Sequence, residues 1–239
     1  TPELSVSAAP SPLTTTYGTP SNATTFTVSG VYLTSTVSIT APTGFEVSAD
    51  NASYASAATL TPEFGTLPAT TVYLRLAATA GVAGTHNAQT INVSGGGAPP
   101  VTLTTAATGH NVATKVLNVT GLSAADRHYN GNTAVTIVGS PAYEGLVNNE
   151  SFPVSGNVTW AFADKNIGAG KVLARTGSFT APSANYAIAT QPSLTASITA
   201  KPLTVTGASV TTKIYDTTTA ATITGATLVG LVDGDTVAV

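Results

Sequence analysis

Short apolar stretches with a spacing of two residues run along most of the chain. In the first half they are Phe26/Val28, Val37/Ile39, Phe45/Val47, Val72/Leu74/Leu76, Ile91/Val93 and Val101/Leu103. In the second half they are Leu117/Val119, Val135/Ile137, Val158/Trp160/Phe162 and Leu194/Ala196/Ile198. A period of two places alternate side chains on one face of a strand. Because no window of about eleven residues shows the helical period, the pattern predicts an all-β fold.

Turn signals separate these stretches at short intervals. They are Pro42-Thr43-Gly44, Asp50-Asn51, Gly95-Gly96-Gly97, Asn130-Gly131, Asn148-Asn149 and Asp233-Gly234. Short strands between frequent turns are typical of antiparallel β-sandwiches. We therefore predict tandem antiparallel β-sandwich modules arranged in a linear array.

One stretch of the sequence occurs twice. Lys115-Val-Leu-Asn-Val-Thr-Gly121 returns as Lys201-Pro-Leu-Thr-Val-Thr-Gly207, which is 86 residues later (201 − 115). Further on, Tyr129-Asn-Gly131 aligns with Tyr215-Asp-Thr217, and Gly145-Leu-Val147 aligns with Gly230-Leu-Val232 after the loss of one residue. The repeat predicts three domains: residues 1–112, residues 113–200, and residues 201–239 as the start of a second, incomplete copy.

Composition and charge limit the functions that this fold can serve. Charged residues make up only 8% of the chain, the net charge is −3, and there is no cysteine. Nucleic-acid binding is not expected, since it needs clustered Lys and Arg. The lack of cysteine excludes a disulfide framework and thiolate ligands. No apolar run reaches the roughly 20 residues of a membrane-spanning helix, and the start at Thr1-Pro2-Glu3 leads us to expect an internal or processed piece.

The repeated segments resemble a known family. Lys201-Pro-Leu-Thr-Val-Thr-Gly207, Lys213-Ile-Tyr-Asp216 and Gly230-Leu-Val-Asp-Gly-Asp235 are similar to the YDG repeat of bacterial surface and haemagglutinin-like proteins. The first copy has Asn130 where the family has Asp, and the second has Thr217 where it has Gly. Losses of this kind indicate that the motif builds a tight turn and is not a chemical site.

The first region resembles a second kind of module. Phe26-Thr-Val-Ser-Gly30, Ala41-Pro-Thr-Gly-Phe-Glu-Val47, Val72-Tyr-Leu-Arg-Leu76 and Val93-Ser-Gly-Gly-Gly97 are similar to immunoglobulin-like bacterial surface domains. Together the resemblances imply an adhesin-like repeat protein on the outer surface of a Gram-negative bacterium, exported as an autotransporter or by the type IX route. An immunoglobulin-like sandwich here would have Phe26, Val28, Val37, Ile39, Phe45, Val47, Leu74 and Leu76 in its core.

Catalytic and cofactor-binding sites are not expected. No nucleophile elbow, phosphate-binding loop or zinc-protease motif occurs, and the eleven acidic residues are dispersed. Asp233, Asp235 and Glu150 occupy matching loops of the two repeats, and oxygen-rich loops can hold Ca²⁺. The alternative for these three residues is a hairpin turn closed by side-chain hydrogen bonds.

Single aromatic and imidazole side chains give few further leads. Trp160, the only tryptophan, could stack on a sugar, but its place on an alternating strand favours a buried core position. Tyr54 and Tyr143 are the aromatic side chains that we expect to be exposed enough to test glycan binding. The histidines His86, His110 and His128 lie in separate segments, which favours isolated surface or loop positions over a metal site.

Two non-enzymatic functions remain. The first is a structural or adhesive stalk segment of a large exported cell-surface protein, whose partners are the neighbouring modules. The second is a specific module of an adhesin or secreted enzyme that binds a glycan, a protein or ice.

The incomplete copy should be marginally stable alone. It lacks the later strands of the first copy, and two or three isolated strands bury one face poorly. We expect contacts with the preceding repeat, a neighbouring chain or a continuation of the polypeptide to order residues 201–239, with the continuation as the preferred explanation.

Overall fold

Strands account for all the regular secondary structure in residues 1–7 and 9–237, which are the residues that the computed structural model describes. The first region has ten strands: β1 (Glu3–Val6), β2 (Thr14–Thr16), β3 (Thr24–Val31), β4 (Val37–Thr40), β5 (Phe45–Ser48), β6 (Ala57–Leu60), β7 (Leu67–Leu76), β8 (Thr90–Gly95), β9 (Ala98–Thr104) and β10 (Asn111–Ala113). The prediction of an all-β fold is confirmed. The described residues also include no helix long and apolar enough to cross a membrane.

The second region and residues 201–237 contain mostly shorter strands. The second region has β11 (Lys115–Ala124), β12 (Arg127–His128), β13 (Ile137–Glu144), β14 (Ser155–Gly156), β15 (Thr159–Ala161), β16 (Gly168–Val172), β17 (Ala174–Thr176), β18 (Phe179–Thr180), β19 (Tyr186–Ile188) and β20 (Thr195–Thr199). The second copy, from residue 201, has β21 (Thr204–Thr206), β22 (Ser209–Val210), β23 (Ile223–Thr224) and β24 (Thr227–Val229). Its last two residues, Ala238 and Val239, lie outside the described residues.

Two four-stranded antiparallel sheets form the first region. Their strand orders are β1-β3-β7-β5 and β6-β4-β8-β9. The alternating apolar side chains of both sheets belong to one buried cluster. All eight predicted core residues are buried there: Phe26, Val28, Val37, Ile39, Phe45, Val47, Leu74 and Leu76. Burial of their apolar surface is the main stabilising contribution to this region.

Three strand pairs differ from the predicted antiparallel arrangement. β2 pairs in parallel with β10, β11 with β19, and β12 with β20. Each pair joins segments far apart in sequence, as in the pairing of Lys115 with Tyr186. Parallel strands need a long crossover, whereas an antiparallel pair can be closed by a short turn. The turn signals of the sequence therefore predict only the antiparallel pairs.

A second buried cluster lies in the second region. Its members are Phe162, Leu173, Leu194, Ala196 and Ile198. The interpretation of Trp160 as a buried residue was wrong, because its side chain is only partly buried and packs on the edge of this cluster. The strand that carries it, β15, pairs with the three-residue strand β17 in a sheet of only two strands.

Residues 201–237 form two short antiparallel ladders. β21 pairs with β24 and β22 pairs with β23. None of the described residues in this segment is buried, and Val205, Val210 and Ile223 are all more than half exposed. Hydrophobic burial therefore contributes little to this copy.

We expect this segment to be the first to open in hydrogen exchange. Two-stranded ladders with exposed edges open with low free energy. Amides of residues 204–210 and 223–229 should exchange much faster than those of β3 and β7, which serve as the control. Strong protection of the whole segment, independent of protein concentration, would show that the copy is stable without further contacts.

The chain divides into two compact units. The first consists of Thr1–Asn118, Tyr143–Ser155 and Thr180–Thr190, and the second of Val119–Ala142, Gly156–Phe179 and Gln191–Val239. The first unit thus combines the first region with three stretches of the first repeat, residues 113–118, 143–155 and 180–190. The second unit combines the rest of that repeat with the residues that follow it.

Candidate functional site

The first compact unit contains a cluster of two tyrosines and one carboxylate. Tyr17 directly follows β2, and Tyr186 begins β19. The hydroxyl of Tyr17 donates a hydrogen bond to Glu150 Oε1 (2.7 Å), and that of Tyr186 donates to Glu150 Oε2 (2.5 Å). The two rings meet edge to face with centroids 5.4 Å apart. One carboxylate therefore fixes two tyrosines that are distant in sequence.

A tight turn brings Glu150 to this position. The Glu150 N–H donates to the carbonyl of Val147 (3.0 Å). Asn148 and Asn149 between them have φ of 55° and 59°, a left-handed conformation that asparagine tolerates. The Val147 side chain lies against Gly18, where any Cβ would overlap it. Gly18 is thus required by a close approach as well as by its φ of 86°.

Burial controls the protonation of both tyrosines. Burial, together with the hydrogen bond to Glu150, raises the pKa of Tyr17. The same two causes raise the pKa of Tyr186 to about 12. Both hydroxyls therefore keep their protons at neutral pH and act as donors to the carboxylate.

The second compact unit repeats part of this arrangement, with one tyrosine on the carboxylate in place of two. The hydroxyl of Tyr129 donates to Asp235 Oδ1 (3.2 Å). The Asp235 N–H donates to the carbonyl of Val232 (3.0 Å), as Glu150 does to Val147. A Cβ on Gly131 would lie 2.8 Å from Val232 Cγ1, so this glycine also makes room for a valine. We call each arrangement of tyrosine, glycine, valine and carboxylate a tyrosine–carboxylate joint.

The residue between tyrosine and glycine shapes the turn itself. Asn130 Oδ1 accepts the N–H of Asn132 and a hydrogen bond from Arg127. In the second copy, Asp216 Oδ1 accepts the N–H of Thr218 (3.0 Å) and Lys213 Nζ (2.8 Å).

The matching bonds support the interpretation of the motif as a turn. The hydrogen bond from Lys213 and that from the Thr218 backbone lower the pKa of Asp216, so the acceptor stays ionised at neutral pH. Asparagine and aspartate are interchangeable at this position because both supply an acceptor oxygen.

The sequence comparison matches the residues that build the second joint. A model of the YDG domain matches residues 113–193 and 199–239. The chain belongs to the YDG domain family. No curated protein and no solved structure matches it. The two YDG matches contain Tyr129, Gly131, Val232 and Asp235, so the second joint connects two YDG domains in sequence.

The calcium candidates have other roles in these YDG domains. Glu150 and Asp235 each accept a tyrosine hydroxyl. Among the described residues, no three acidic or histidine side chains are grouped as a metal site requires. Asp233 lies at the turn beside Asp235, and a backbone hydrogen bond from Asp235 to Val232 closes this turn.

The aromatic candidates for ligand binding have different environments. Tyr54 is partly buried, with the Arg75 guanidinium 3.8 Å from its ring centroid and its hydroxyl donating to Asn51. Tyr143 is also partly buried and donates to the carbonyl of Thr180 (2.5 Å). The expectation that these two tyrosines are exposed was wrong. Trp160 instead lines an apolar groove with Leu122, Val135, Ile137, Pro141, Val158 and Phe179.

Two histidines of the first unit are close together. His86 and His110 are both buried, and each ring meets the Phe45 ring edge to face, at centroid distances of 5.8 and 5.2 Å. The expectation of isolated surface or loop histidines was therefore wrong for this pair, whereas His128 is exposed. His110 Nδ1 accepts the Leu13 N–H (3.0 Å), which requires an unprotonated Nδ1. Burial, with a smaller contribution from His86, lowers the pKa of His110.

We expect the first unit to lose stability in mild acid because of His110. Its pKa is lower in the folded state than in the unfolded chain, so the unfolded state takes up a proton first. The free energy of unfolding should be constant above the unfolded-state pKa of about 6.5 and fall below it by up to about 1.4 kcal/mol per pH unit.

Denaturant melts at pH 7.5 and 5.5 test this expectation. The variant His110→Asn keeps an acceptor oxygen and should lose part of the pH dependence, and the exposed His128→Asn is the matched control. An unchanged pH dependence in His110→Asn would assign the acid sensitivity to other groups.

Proposed function

We propose that this chain is a structural or adhesive stalk segment of a large exported bacterial cell-surface repeat protein. It acts outside the cell, has no enzymatic activity, and has the neighbouring modules of its own polypeptide as its partners. Residues 1–112 serve as an immunoglobulin-like module ahead of the YDG repeats. The two four-stranded sheets with a common buried cluster support this assignment for the first region.

The repeated joint is the observation that carries the proposal. Tyr17 of the first region is bonded to Glu150 of the first repeat, and Tyr129 of the first repeat is bonded to Asp235 of the next. Each module thus supplies a tyrosine–glycine turn to the loop of the module that follows. The same connection at each junction between modules suits a protein that extends from the cell surface and holds other domains away from it.

Antibodies against the purified chain test where it acts. Intact and permeabilised cells of the source bacterium are labelled in parallel, and a cytosolic protein serves as the control for membrane integrity. We expect equal labelling of this chain in both samples, and loss of the label after protease treatment of intact cells. Labelling that appears only after permeabilisation would contradict a surface stalk.

The groove around Trp160 favours glycan binding as a second function. Its indole is partly exposed and lies 6.0 Å from the Phe179 ring, and aliphatic side chains continue the apolar surface. Sugars stack on such surfaces through their C–H faces. Binding on a glycan array that is lost in Trp160→Ala but kept in Tyr54→Ala would establish this function. An array without any binding would remove it.

A further inference from the structure

The second YDG domain has a turn of its own that corresponds to the two turns used in the joints. Tyr215, Asp216 and Thr217 align with Tyr129, Asn130 and Gly131. Thr217 has a φ of 63°, against 80° at Gly131 and 86° at Gly18, so the backbone is left-handed at all three positions. The turn therefore shares its left-handed residue with the turns of both joints.

The tyrosine of this turn is exposed. The Tyr215 side chain is 87% exposed and its neighbour Ile214 is 91% exposed, whereas Tyr17 in the first joint is 5% exposed. Asp216 is not the acceptor of the Tyr215 hydroxyl, because its carboxylate is bonded within the turn to Lys213 and Thr218. Tyr129 also packs against the Phe162 cluster of its own repeat, whose counterparts in the second copy would follow residue 239. Tyr215 therefore has neither that cover nor the cover of a loop.

We propose that the Tyr215–Thr217 turn is a docking site for the Gly-Leu-Val loop of a further YDG domain, with the acidic residue three positions after the valine bonded to the Tyr215 hydroxyl. The proposal rests on the proposed function, since it extends the same joint by one step. Both occupied joints support the choice of partner, because each has a valine against the turn and a carboxylate on the tyrosine.

A second copy of this chain is a poor occupant. The loop at residues 145–150 is already held by Tyr17 and Tyr186, and the loop at residues 230–235 is held by Tyr129. Either loop would have to leave its own joint first. The partner is therefore a YDG domain whose loop is not yet bound.

Thr217 sets a condition on that loop. At Gly131 an added Cβ would meet the valine of the loop at 2.8 Å, and Thr217 already has a Cβ at the corresponding position. The valine of a docked loop must therefore shift slightly away from Thr217, which weakens the contact without changing the partner. Thr217→Gly should remove the restriction.

The experiment adds one period to the full chain. Residues 1–239 are followed by a second copy of residues 155–239, which completes the second YDG domain and supplies a new Gly-Leu-Val loop. Acetylation of tyrosines by N-acetylimidazole is followed by mass spectrometry in the original and in the extended chain. We expect Tyr215 to react about tenfold more slowly in the extended chain, the factor expected for one hydrogen bond, and more slowly still with Thr217→Gly.

Two comparisons make the result decisive. Replacing the aspartate of the added loop with alanine should restore the reactivity of Tyr215 and leave Tyr17 and Tyr129 unchanged. Equal reactivity of Tyr215 in the original chain, the extended chain and its Thr217→Gly variant would overturn the proposal. So would an added copy that gains no protection in hydrogen exchange, because the joint is what orders it. Neither outcome depends on where the protein acts in the cell, so a failure here is distinguishable from a failure of the surface labelling.

Discussion

Glu150→Ala should lower the free energy of unfolding of the first unit by about 3–4 kcal/mol, since hydrogen bonds to charged groups contribute about 1.5–3 kcal/mol each. The substitution removes the shared acceptor of two buried hydroxyls, those of Tyr17 and Tyr186. Both donors then stay buried without their carboxylate partner, which costs more than the loss of a contact exposed to water.

Denaturant titration with Glu144→Ala as the control measures this effect. Glu144 is exposed and lies on the same segment as Glu150, so its removal should change stability by less than about 0.5 kcal/mol. Equal effects of the two variants would mean that the joint contributes nothing specific. Glu150→Gln should be intermediate, because the amide keeps one acceptor oxygen but loses the charge.

Phe162→Ala should destabilise the second unit by about 3–5 kcal/mol through the cavity that it leaves. Phe162 is only 2% exposed and packs with Leu173, Leu194 and Ile198. Trp160→Ala is expected to cost less than Phe162→Ala, by about 1 kcal/mol or more, because part of the Trp160 side chain is already exposed in the native state. Thermal and denaturant melts of both variants provide the comparison. A larger loss from Trp160→Ala would show that the tryptophan is the main packing residue after all.

The alternation of apolar residues predicted the first region well because that pattern has a local physical cause. Phe26 and Val28 lie on one face of β3, as Leu74 and Leu76 do on β7, and all four are buried. Their spacing alone determines the face on which they lie.

The same spacing gave the wrong result at Trp160, where burial depends on the size of the sheet. Trp160 and Phe162 are two residues apart, but β15 ends at Ala161 and only Phe162 is buried. The length of neighbouring strands is set by distant segments, so it leaves no trace in the local pattern.

The sequence identified the acidic residues of the two joints but not the tyrosines that bind them. The sequence showed that Glu150 and Asp235 occupy matching positions. Because both lie in loops rich in oxygen ligands, we interpreted them as calcium ligands. The missing information was the partner: Tyr17 lies 133 residues before Glu150, and Tyr129 lies 106 residues before Asp235. The usable signal was the pair Tyr17-Gly18, which shares the tyrosine and the left-handed glycine of Tyr129-Asn-Gly131. His86 and His110 were missed because separation along the chain gives no information about distance in space.

The equivalence of the two joints makes the modules interchangeable in evolution. If unequal recombination deleted the 86-residue period between Lys115 and Ala200, Tyr17 and Gly18 would face the loop that carries Val232 and Asp235. That loop presents the same valine and the same kind of acceptor as the loop that was lost. A whole period could therefore be gained or lost, and the new junction would again place a valine and a carboxylate opposite a tyrosine turn.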